Sequence, residues 1–181
     1  MRQVIRKLFW AWDFDKEEKW LNEMSAKGLK LAEVSFCKYI FDEGKPGEYG
    51  VRLELLDDWP TSPKSIQYIK FVEDTGAEYI GSVLRWAYFR KKNDGAGFNL
   101  FSDIDSRINH LNRILMLIGL LGALELYAGV YNGLLGYFRD RSSASLFAGI
   151  FCTLFGIIIS YGFARIYIKI NRLKRERRLH E

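Results

Sequence analysis

By its surroundings, the residue best placed for chemistry is Glu125. It is the one group charged at neutral pH in a 25-residue apolar run from Ile114 to Phe138. An acid in such a setting is a functional hypothesis by default, here an ion, proton or lipid-linked site. Glu125, Gly129, Asn132 and Gly136 recur at spacings of 4, 3 and 4, which a helix gathers on one face. A second run, Ala144 to Ala164, carries no charge and holds Gly149, Thr153, Gly156, Ser160 and Ala164. Rows of small residues let helices approach closely. An antiparallel hairpin sets Glu125 about level with Ile157, within reach of Thr153, Ser160 or Tyr161. Glu125, Asn132 and Ser160 are therefore the candidate intramembrane polar site, and Gly129, Gly133 and Gly156 the candidate packing positions. The competing reading is a protonated Glu125 that seals the hairpin or a dimer interface.

Other reactive residue types are sparse. Asp13, Asp15, Glu17 and Glu18 form an acidic cluster, but acids at a helix N-terminus are favoured by the backbone dipole. Asp15 with Glu18 has the spacing of a capping box, and capping is the preferred reading. Cys37 falls in an expected strand and Cys152 in an apolar run, so the two are not expected to meet. His110 is expected to be solvated or interfacial. The sequence shows no Ser-His-Asp set, phosphate-cradling Gly loop or CxxC pair. No catalytic residue, metal ligand or cofactor is nominated, and an enzyme is not expected.

Both apolar runs are long enough to cross a hydrocarbon core of roughly 30 Å. Glu125 opposes insertion by roughly 2.5–3.5 kcal/mol, whereas the twelve Leu, Ile, Val and Phe of its run return roughly 3.5–7 kcal/mol, so insertion wins. Charge supports this division. The chain of 181 residues has a net charge of +5, which first suggests nucleic acid. Residues 1–113 hold 18 basic and 18 acidic side chains, however, and residues 114–181 hold 9 and 4. The excess belongs to the apolar half. Arg172, Lys174, Arg175, Arg177 and Arg178 follow the second run and are candidate lipid-headgroup contacts. The positive-inside rule puts this tail, and with an even number of spans the N-terminal domain, in the cytoplasm. Arg139 and Arg141 in the connecting loop vote weakly the other way. No secretory leader is read at the N-terminus, where Phe9-Trp10-Ala11-Trp12 is too short for one.

These spans are joined to a domain whose pattern reads β-α-β-β-α-β. Strands are expected at residues 3–12, 29–41, 49–55 and 79–90. A helix from about Asp15 ends at Gly28; another opens at Ser62-Pro63, turns Ile66, Ile69 and Val72 inward, and ends at Gly76. Trp20, Leu21, Met24, Gly28, Leu31 and Phe41 match Tyr68, Ile69, Val72, Gly76, Tyr79 and Phe89 at a constant offset of 48. A duplicated β-α-β of this order is the ferredoxin-like sandwich pattern, in an α+β chain. Strict alternation at 49–55 predicts an open sheet face at Arg52 and Glu54, a candidate binding surface. The basic-Gly-aromatic signature of RNA-recognition strands is missing there, and the domain has no net charge, so no nucleic-acid partner is expected.

The organisation expected is thus a cytoplasmic domain (1–92), a joint with an amphipathic helix (93–113), a transmembrane hairpin (114–170) and a basic tail (171–181). Phe101, Ile104, Ile108 and Leu111 either lie on the inner leaflet or continue the first span, and the continuous helix is favoured.

The strings LFWAWDFDKEEKWLNEMSAKGL (8–29), TGAEYIGSVLRWAYFRKK (75–92) and LFSDIDSRINHLNRI (100–114) resemble the DUF2812 family. The resemblance implies a bacterial membrane protein whose function the family does not supply. It brings no catalytic residues. Its association with PadR-like regulators implies a regulatory or envelope-stress context, with the bilayer, a second copy or another membrane protein as partners. A sensor or adaptor is the expected role, and a small subunit of a transport or envelope complex is the rival.

Overall fold

The computed structural model describes residues 2–93, 98–100, 104–138 and 143–180. The chain forms two compact units, residues 1–103 and 104–181.

The first unit is α+β, with two three-stranded antiparallel sheets. Its elements are β1 (Gln3–Arg6), a 3-10 turn (Ala11–Asp13), α1 (Phe14–Ala26), β2 (Leu29–Ser35), β3 (Lys38–Glu43), β4 (Tyr49–Leu55), α2 (Pro63–Asp74), β5 (Ala77–Val83) and β6 (Trp86–Lys92). The sheet orders are β1-β3-β2 and β4-β6-β5. This corrects the ferredoxin-like expectation of one four-stranded sheet. Each of the runs 29–41 and 79–90 is a two-residue hairpin, turning at Phe36-Cys37 and at Leu84-Arg85. Neither turn holds Gly, Asn, Asp or Pro; the positive φ values fall on Cys37 and Leu84, both at 55°. Cys37 is therefore a turn residue and not a strand residue.

The duplication is deeper than the side-chain match suggested. β2 and β5 each carry a bulge, between Leu31 and Glu33 and between Tyr79 and Gly81, again 48 residues apart. Helix ends repeat as well: Gly28 and Gly76 follow α1 and α2 at φ of 83° and 86°, where a side chain would be strained. Ser62 caps α2 by accepting from the Ser65 amide at 3.2 Å. Asp13 stands at the cap of α1 without a side-chain cap bond, so the capping reading of the acidic cluster does not hold there.

Two cores result. Under α1 lie Trp20, Leu21, Leu31, Tyr39, Phe41, Val51, Leu53 and Tyr88, drawn from both repeats. Under α2 lie Ile69, Val72, Ala87, Phe89 and Phe98, while Ile66, expected inside, is exposed. The repeats are locked by α1 itself. Its Asn22, Glu18 and Ser25 share one face and bond the free edge of β4. Asn22 pairs with both the N–H and C=O of Val51 at 2.9 Å, Glu18 accepts from the Leu53 amide at 3.1 Å, and Ser25 donates to Tyr49 O. An open strand edge is an aggregation hazard, and here a helix covers it.

The second unit is an antiparallel pair, α3 (Ile104–Phe138) and α4 (Ser143–His180). α3 runs unbroken from Ile104, as the continuous-helix reading expects. Phe101 lies outside the described residues. Only 22% of the most apolar window of each helix is buried, far less than the core helix of a soluble protein shows. Large side chains such as Leu124, Tyr127, Val130, Phe151, Leu154 and Ile158 face outward. Two apolar helices of this length, packed as a hairpin with an apolar outer surface, are consistent with a two-span membrane protein. At 1.5 Å per residue the helices measure about 52 and 57 Å, so roughly 22–27 Å of each exceeds a hydrocarbon thickness of about 30 Å. That excess carries a seam of Ile108, Leu111, Ile166, Ile170 and Leu173 and the ion pair of Arg177 with Asp105 at 2.7 Å.

Candidate functional site

In the first unit, the repeats bring three connections to one end: the β1–α1 segment, the β2–β3 turn and the β5–β6 turn. Between them lies a pocket of about 190 Å³. Phe9, Trp10, Phe14 and Trp86 supply aromatic walls, Phe36 and Leu84 stand at the turns, and Glu17, Tyr39 and Tyr88 complete the lining. Ring contacts hold the walls. Phe14 stacks on Trp86 at 5.5 Å, Trp10 stacks on Trp12 at 4.9 Å, and Phe9 meets Trp20 at 5.6 Å. The Lys7 amide donates to Cys37 O at 3.2 Å, tying the first connection to the β2–β3 turn. The Lys7 ammonium lies 4.9 Å and 4.7 Å from the Phe9 and Trp20 ring centres.

The polar centre of this pocket is Glu17, 7% exposed. Its Oε1 accepts from the Tyr39 hydroxyl at 2.7 Å and from the Tyr88 hydroxyl at 2.6 Å. Burial raises the Glu17 pKa above 4.5, and the two hydroxyl donors pull it partly back. Both tyrosines are held protonated by burial and by the adjacent carboxylate. With Oε1 doubly occupied, Oε2 is the oxygen left to receive a donor. The arrangement suits a small, mostly apolar molecule carrying one N–H, O–H or cationic group. Among the described residues, no three of His, Cys, Asp and Glu are grouped to hold a metal ion.

Sequence reasoning placed Glu17 in an acidic cap cluster, and the structure disperses that cluster. Asp13 pairs with Lys16 at 2.9 Å, Glu17 enters the core, and Glu18 turns to β4, where it meets the Arg52 Nη1 at 2.9 Å. A signal was available. Phe14, Glu17, Leu21 and Ser25 follow the 3-4-4 spacing of the buried helix face, so Glu17 occupies a core position.

The candidate sheet face at Arg52 and Glu54 is not open. Glu54 is 2% exposed and accepts from the Tyr68 hydroxyl at 2.6 Å, beneath α2. Arg52 donates to Phe98 O at 2.6 Å as well as to Glu18. β4 is covered on both faces, and its alternation reflects two different interiors.

In the hairpin, Glu125, Asn132 and Ser160 do not converge. Asn132 and Ser160 donate back to Ala128 O and Gly156 O of their own helices, at 2.8 Å each. Ser160 faces outward. Across the hairpin, Cys152 comes within hydrogen-bonding reach of Glu125. Gly129 and Gly156 do lie at the close approach: a Cβ on Gly129 would fall 2.8 Å from Thr153 N, and one on Gly156 the same distance from Leu126 Cδ2. Gly149 joins them, its Cβ direction ending 2.5 Å from Gly133 N, whereas a Cβ on Gly133 would meet open space. His110 is buried at 1% exposure, not solvated. On the last turns of α4, Arg172 pairs with Glu176 at 3.3 Å and Arg177 with Asp105, while Lys174, Arg175 and Arg178 are exposed.

The sequence pattern of the family described as "Protein of unknown function (DUF2812)" matches residues 13–122. That stretch spans α1 through the first half of α3 and includes Glu17, Tyr39 and Tyr88. No curated protein and no solved structure matches the chain.

Proposed function

The chain belongs to the DUF2812 family, and we propose that it is a membrane-anchored sensor or adaptor whose cytoplasmic domain binds a small molecule at Glu17. The observation that carries this reading is the pocket, where a buried carboxylate with one oxygen uncommitted lies among aromatic walls. Buried acids in clefts cluster at functional positions. The role is binding and relay, not catalysis, in a bacterial cell membrane. A PadR-like regulator, the family's associate, is the output partner in this reading.

Orientation follows from charge. Arg113 and Arg165 to Arg178 mark one end of the hairpin, against Arg139 and Arg141 at the other, which favours cytoplasmic termini. A C-terminal alkaline-phosphatase fusion is then inactive; an active fusion refutes this topology. The binding claim is tested by a thermal-shift screen of full-length protein against small apolar amines, amides and alcohols. Hits on the wild type that disappear with Ser35→Trp, which fills the pocket from an exposed position, support it; the absence of any such hit refutes it.

One observation favours a second reading, a small subunit of a transport or envelope complex: Glu125 and Cys152 meet between the two apolar helices. There Glu125→Gln abolishes function, whereas the sensor reading leaves ligand binding unchanged.

A further inference from the structure

The pocket end of the first unit carries large apolar side chains that the protein leaves uncovered. Phe36 is 75% exposed and Leu84 66%, and Leu8 and Trp10 from the β1–α1 segment are exposed beside them. Phe36 and Leu84 stand 48 residues apart, so both repeats present an apolar residue at the same turn position. Two-residue turns ordinarily favour Gly, Asn or Asp there. The charges lining the hollows beside Phe36 are basic apart from Glu17. Asp57, paired with Lys64, lies by the Leu84 turn, where its carbonyl accepts from Arg85 at 2.6 Å. Arg6, Lys7 and Lys38 line a second, shallower hollow with Leu8, Phe36 and Cys37. Glu17, turned inward, is the one carboxylate lining either hollow. The nearby Asp13 is paired with Lys16.

Apolar and aromatic tips with Arg6, Lys7 and Lys38 beside them match the chemistry of an anionic lipid surface. The tips enter the headgroup–acyl boundary, and the cations meet phosphates. We propose that this end of the domain is a lipid-docking edge, with Phe36, Leu84, Leu8 and Trp10 inserting and Arg6, Lys7 and Lys38 binding the headgroups. The four inserting residues also line the pocket, so docking sets its mouth against the membrane whatever molecule Glu17 holds. Docking reads out as insertion depth, whereas the pocket reads out as ligand binding.

The test uses full-length protein in vesicles, with Cys37→Ser and Cys152→Ser and a nitroxide at Phe36→Cys, Leu84→Cys or the control Phe71→Cys. Phe71 is exposed on α2. Power saturation compares accessibility to oxygen and to a water-soluble nickel complex. In phosphatidylcholine–phosphatidylglycerol vesicles, the oxygen-to-nickel ratio at positions 36 and 84 exceeds the control several-fold. In pure phosphatidylcholine, or with Arg6→Glu, Lys7→Glu and Lys38→Glu together, it drops to the control. The proposal is overturned if labels 36 and 84 match the control in anionic vesicles, if insertion ignores lipid charge, or if spin–spin broadening shows that a second copy covers the edge.

Discussion

The Tyr88 hydroxyl donates to Glu17 Oε1 at 2.6 Å across 71 residues of sequence, and so joins α1 of the first repeat to the last strand of the second. Tyr39 donates to the same oxygen from β3. A carboxylate thus sits where the two repeats meet, with the pocket opening beside it. This relationship contributes to the pH response of the domain.

Burial places the folded-state pKa of Glu17 above the 4.5 of the unfolded chain. Between those two values the folded protein holds a proton that the unfolded chain has released. The share of stability that Glu17 contributes is therefore fully present below pH 4.5 and is lost as pH rises through the folded pKa. Glu17→Gln keeps an acceptor for both tyrosines and removes this share of the decline. Unfolding midpoints of the full chain in detergent, measured from pH 4 upward, are expected to fall less steeply for the variant, with Glu18 supplying a remaining slope of the same sign.

Asn22→Ala leaves the Val51 N–H and C=O on an open edge. Losing two hydrogen bonds at a half-buried position costs about 2 kcal/mol. Hydrogen exchange checks the mechanism, since the Val51 amide is expected to lose protection while Lys91, inside the β4–β6 ladder region, keeps its own.

The register of the hairpin gives a paired test. Gly149→Ala sets a Cβ 2.5 Å from Gly133 N and must part the helices, at a cost of about 1–3 kcal/mol. Gly133→Ala, a change of the same size one contact away, points into open space and is expected to be tolerated. Interhelical distances from spin-label pairs in vesicles separate the two outcomes.

Much of this was legible in the sequence, for identifiable reasons. The 48-residue offset survives in glycines and core residues because both helices stop at a left-handed residue. The two apolar runs stand out because their outward faces carry large apolar side chains in place of a polar stripe. The hairpins were hidden because Cys37 and Leu84 take positive φ without the residues that usually mark it. With 29–41 and 79–90 each taken as a single strand, nothing brings Tyr39 and Tyr88 to Glu17, and the pocket has no walls. Arg52 and Glu54 misled for a related reason: alternation ordinarily signals one wet face, but here Tyr68 and Phe98 supply partners that bury polar groups.

The claim that the pocket holds a ligand is tested most directly by mass spectrometry of small molecules carried by the full-length protein from its native membrane, wild type beside Ser35→Trp. The expected result is a molecule bound to the wild type and depleted in the variant, with both proteins showing the same unfolding midpoint in the absence of ligand. Identical small-molecule inventories for the two proteins would contradict the account.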